Sequence, residues 1–185
     1  MGAGERPILI TRPFVLHKDP FLDVAVLPVE ETHIADTPIV PFDASTLAEN
    51  SADLEDYIFI HSYPGTRSRF SALGQGIYFS TQPYGTVSGT SVWKGFDAKI
   101  HFALEYPGEG QEHSDGRAAT LPDPHGLSGT AVWRTGRAKA GPNWTTNDAK
   151  IVGIVHRWDQ DSSTLVAPRI EPTLGFLRIG EADKA

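Results

Sequence analysis

A chain of 185 residues has room for one domain of ordinary size, or for two small barrels sharing an interface. Its net charge of −7, with no run of more than two basic residues, excludes a nucleic-acid surface, and the lack of cysteine excludes disulfides, thiol catalysis and thiolate-held metals. No apolar run approaches the length needed to cross a membrane, and the start, from Met1 to Pro7, lacks a basic region followed by an apolar stretch, so a cytoplasmic protein is expected.

Taken in chain order, short runs of β-branched and aromatic residues alternate with Gly, Pro, Asp and Asn, the pattern of strands joined by turns. They are Ile8–Ile10, Phe14–His17, Val24–Val29, Tyr57–His61, Gly76–Ser80, Val87–Val92, Ala98–Leu104, Thr130–Arg134, Ile151–His156 and Leu165–Ala167. Gln75 to Val92 reads as a hairpin with Pro83-Tyr84-Gly85 at its tip, and Tyr106–Pro124 as a polar loop. Helical signals are few. Phe42–Leu54 has room for a turn or two, and Pro172 to Leu177 opens a short C-terminal helix, with Ile170, Leu174 and Leu177 at helical spacing. The spread of 18 Gly and 14 Pro fits many turns, and the whole reads as an antiparallel, barrel-like all-β protein.

The chemistry concentrates in Asp123-Pro124-His125-Gly126-Leu127-Ser128-Gly129-Thr130-Ala131-Val132-Trp133. A serine between glycines sits on a tight turn leading into an apolar strand, where glycine permits close backbone approach and unusual φ values. Successive N–H groups on such a turn can aim at one point, as stabilisation of an oxyanion in acyl transfer requires. Gly126 to Val132 resembles the nucleophile loop of the trypsin-like serine peptidase superfamily, with Thr130 and Ala131 where a third glycine and a proline are common. The resemblance implies Ser128 as nucleophile and the N–H groups of Gly126 and Ser128 as oxyanion hole. Phe21 to Leu27 resembles the family's acid segment and implies that Asp23 is the buried carboxylate of the triad.

Two further segments fall in the family's order. Asp56 to Gly65 is similar to the strand and turn that open the crossover between the barrels, with Ser62 in place of a glycine. Ile151 to Trp158 is similar to the strand that pairs with substrate, so Val155, His156, Arg157 and Trp158 are implied in substrate binding; a polar His156 or Arg157 there would favour an acidic side chain. The implied fold is a chymotrypsin-like double β-barrel with the first barrel incomplete, residues 1–65 forming the partial N-terminal barrel and 66–185 the C-terminal one.

The family's base, a histidine well upstream of the acid, is missing: His17 lies six residues before Asp23, and His33, His61, His101, His113, His125 and His156 all follow it. The expectation is therefore a serine endopeptidase that is truncated or weakly active, acting on peptides or proteins, prone to self-association through the open barrel. The alternative is an inactive homologue that binds peptides. Neither cofactor nor metal is expected: a site drawn from His113, Asp115, Asp123 and His125 matches no known spacing. An α/β-hydrolase built on Ser128, Asp148 and His156 fails because Thr130–Trp133 continues as a strand instead of a helix.

Overall fold

A computed structural model of the chain describes residues 17–19, 24–26, 42–51, 56–62, 64–65, 69–71, 76–78, 82–111 and 118–175. The protein is mostly β-sheet. Its strands are β1 (His17–Asp19), β2 (Val24–Val26), β3 (Ile58–Ser62), β4 (Arg69–Ser71), β5 (Gly76–Tyr78), β6 (Gln82–Thr86) and β7 (Ser88–Gly89), followed by β8 (His101–Glu105), β9 (Glu109–Gln111), β10 (Ala118–Thr120), β11 (Ala131–Arg134), β12 (Lys150–Ile154), β13 (Arg157–Asp159) and β14 (Thr164–Pro168). All strand pairs are antiparallel.

Two four-stranded sheets carry the fold, ordered β12-β11-β3-β6 and β13-β14-β8-β7, and among the described residues neither closes on itself. The two sheets share one core, in which Ile58, Ile60, Leu104, Leu127, Val132, Val152, Val155, Leu165 and Ile170 are almost wholly buried; β3 alternates buried and more exposed residues, whereas every residue of β14 is buried. The sheets meet most closely at Gly153, which bridges to Arg169. A Cβ there would lie 2.5 Å from the Pro168 carbonyl oxygen and 2.7 Å from the Phe102 ring, so only glycine allows this approach. Among the described residues, helix is limited to α1 (Arg137–Ala140), short 3₁₀ turns such as Ala44–Thr46, and the helical residues 170–175. The all-β reading, the turn within Phe42–Leu54 and the C-terminal helix agree with this.

Four local expectations are corrected. Pro83-Tyr84-Gly85 is the middle of β6, paired with His61, Ile60 and Phe59, and forms no hairpin tip. Since β6 is an edge strand in the sheet order, Pro83 can stand there without breaking a ladder. The polar loop Tyr106–Pro124 contains the β9–β10 hairpin, held by backbone pairing that leaves no apolar trace in the sequence. Of Val87–Val92 only Ser88–Gly89 is strand, because the N–H groups of Val92 and Trp93 turn to the Asp159 carboxylate, at 3.0 and 3.1 Å. Finally, β8 begins at His101 and not at Ala98, since Ile100 and His101 both donate back to the Asp97 carbonyl in a turn. Ile8–Ile10 lies outside the described residues.

Candidate functional site

The nucleophile-like turn is fixed from both sides. Within it, the Leu127 N–H donates to the Pro124 carbonyl at 3.0 Å and the Thr130 N–H to the Leu127 carbonyl at 3.1 Å. Across to the end of β12, Gly129 donates to Val155 at 2.7 Å and Val155 donates back to Thr130 at 2.8 Å. The Gly65 N–H reaches the His125 carbonyl at 2.8 Å, which joins the turn to the segment after β3. Gly126 and Gly129 have φ of 91° and 85°, the left-handed region where a side chain would be strained. Between them Leu127 plunges into the core with 1% exposure and pins the turn to the sheets.

What this leaves over is the important part. The N–H groups of Gly126 and Ser128 have no hydrogen-bond acceptor among the described residues, whereas the N–H groups of His125, Leu127, Gly129 and Thr130 are all engaged. Ser128 is exposed, and its hydroxyl donates to the His156 carbonyl at 3.2 Å. It opens on a cavity of about 400 Å³ walled by Pro124, His125, Gly126 and Ser128 from the turn and by His156, Arg157 and Trp158 from the start of β13.

The far wall is propped by aromatic rings. His101 and His156 stack with centroids 5.5 Å apart and planes 9° from parallel, and Trp93 meets both edge-on at 5.6 and 5.5 Å. The Arg157 guanidinium lies over the Trp93 ring, 4.7 Å from its centroid, a cation–π contact. His101 is buried, and its Nδ1 accepts the Asp97 N–H at 3.2 Å. Beneath Trp93, the buried Asp159 carboxylate accepts from the Ser91 hydroxyl at 2.7 Å, the Ser162 hydroxyl at 2.5 Å and the Val92 and Trp93 N–H groups. Burial pushes its pKa up, but the four donors outweigh that and hold it at about 2, against an ordinary 3.8.

On the near wall, Asp123 holds His125 twice: its Oδ1 accepts the His125 N–H at 2.9 Å and also contacts the ring Nδ1. These bonds, the backbone one foremost, keep the Asp123 carboxyl below its usual range. Both side chains are exposed, so the imidazole stands at the cavity mouth with its direction set by Asp123.

The residues named from the sequence are therefore only partly reunited. Gly126, Ser128, His156, Arg157 and Trp158 share the cavity. Val155 does not line it: its side chain is 1% exposed and its N–H and carbonyl both serve the turn. Asp23 lies outside the described residues; Val24, next in sequence, pairs with Asp19 in the β1–β2 hairpin that also contains His17. Pro124 and His125 were missed as cavity residues, although the Asp-Pro-His run directly before the Gly-Leu-Ser-Gly turn was the available signal. Asp148 closes a capping box with Thr145, accepting its N–H at 2.6 Å, and takes no part with His156. Among the described residues no three His, Asp or Glu side chains gather as a metal site. No described helix is long and apolar enough to cross a membrane. No family model matches the chain, and no curated protein matches it.

Proposed function

We propose that the chain is a trypsin-like serine peptidase homologue, of double β-barrel type, whose Ser128 cavity receives a peptide. One observation carries the reading: an exposed serine hydroxyl beside two backbone N–H groups, of Gly126 and Ser128, that have no acceptor among the described residues. Gly126 and Ser128 are both exposed and both line the cavity, so their N–H groups can donate to an incoming oxygen. In acyl transfer the Ser128 oxygen would attack a peptide carbonyl carbon while its proton passes to a base. The carbonyl oxygen would take the negative charge between the two N–H groups, and the C–N bond would then break, releasing a protonated amine and leaving an ester that water hydrolyses.

The base is the weak member. The Ser128 hydroxyl donates to the His156 carbonyl, an oxygen that cannot take up its proton. A site that keeps its oxyanion hole but lacks one member of the triad retains roughly 10³–10⁴-fold catalysis over water. That same bond favours the second reading, a peptide-binding module without turnover.

A fluorophosphonate probe separates the two. Labelling of the chain at Ser128, lost in Ser128→Ala, is expected for the peptidase reading. A probe that labels neither form, with peptides still binding, assigns the cavity to binding alone.

A further inference from the structure

The groups facing the Ser128 cavity are unbalanced in a way that identifies its ligand. Among the side chains lining it are one guanidinium, Arg157, and two imidazoles, His125 and His156, and none is a carboxylate. The Arg157 guanidinium lies over the Trp93 ring and pairs with no carboxylate among the described residues. Its N–H donors lie in the plane of the group and form the fork that fits a carboxylate. The nearest acid in sequence, Asp159, is already surrounded by two hydroxyls and two N–H groups and turned towards Ser91 and Trp93. Asp123 is likewise engaged by His125. Trp158, which also lines the cavity, has a buried indole N–H with no acceptor among the described residues. The lining thus carries a guanidinium and no carboxylate, in a protein whose overall charge is −7.

We propose that the cavity is an anion subsite that binds a carboxylate of a peptide, with Arg157 as its principal charge partner and His125 at the mouth. The inference rests on the peptide-binding reading of the same cavity. The carboxylate can be an acidic side chain or a free C-terminus, which present the same two oxygens.

The test measures affinity of the full-length Ser128→Ala protein for four short peptides, so that turnover plays no part. A glutamate peptide is compared with its glutamine twin, both amidated, and a neutral peptide acid with its amide. The charged member of at least one pair is expected to bind about tenfold more tightly. The preference should shrink in high salt and vanish in Arg157→Gln, with His125→Gln, an exposed change, weakening it less. A glutamate preference assigns the side chain as source, and an acid-over-amide preference assigns the terminus. Equal affinity within both pairs overturns the anion subsite while leaving peptide binding intact. No binding of any peptide overturns both.

Discussion

Asp159 shows how one buried side chain behind the cavity lining supports its wall. Its carboxylate gathers Ser91, Val92 and Trp93 into a turn, Trp93 supports Arg157 and the His101–His156 stack, and these form the cavity wall. Because the folded carboxyl has its pKa at about 2 against 3.8 when free, the unfolded chain binds the proton more readily. The stability this group contributes is fully present above about pH 4 and is lost as pH falls from there towards 2. Asp159→Asn replaces a fourfold acceptor with a group that brings two donors of its own, so it should cost about 2–4 kcal/mol in urea denaturation at pH 7. The variant's deficit should narrow between pH 4 and 2, and a deficit independent of pH across that window would contradict this role. Nothing in the sequence around Trp158-Asp159-Gln160 pointed to it, since its partners lie some 67 residues away at Val92 and Trp93. A buried acid satisfied by distant donors looks, in sequence, like any surface acid at a turn.

At the scale of elements, the Ser128 turn is held by its own glycines and by Leu127. The side chain between Gly126 and Ser128 is among the best-buried in the protein, which explains how a turn with an exposed serine can be rigid. Leu127→Ala should destabilise the fold by about 2–5 kcal/mol and lower fluorophosphonate labelling even at temperatures where the variant stays folded. Labelling unchanged in a folded variant would mean that the turn is fixed without its anchor. This element was the most legible: Gly-Leu-Ser-Gly requires left-handed φ values, and Gly126 and Gly129 have them. The strands were legible where apolar residues are buried along them, as Ile58–Ser62 and Thr164–Pro168 show. Legibility failed where pairing replaces burial. The β9–β10 hairpin is made of Glu-Gly-Gln against Ala-Ala-Thr, and Pro83 and Gly85 of β6 have turn chemistry but an edge-strand position.

On the scale of the whole molecule, the cavity exists because two sheets converge. The turn before β11 belongs to one sheet and the His156–Trp158 wall to the other, and the chain passes between them through Val155 just after the close contact at Gly153. Gly129, Thr130 and Val155 lock the two together, and the His156 N–H continues the lock to Val166 in β14 at 3.1 Å. The sequence placed both walls of the cavity by motif, but it could not show that Val155 is buried while Arg157 is exposed and His156 and Trp158 are half-buried, because the strand breaks after Ile154 and the alternation restarts at Arg157. A crystal structure of the Ser128→Ala protein with a short acidic peptide tests the central claim most directly. The account predicts the peptide along His156–Trp158, with one of its oxygens accepting from the Gly126 and Ser128 N–H groups and a carboxylate against Arg157. A peptide seated elsewhere, or those two N–H groups turned inward onto protein acceptors, would contradict it.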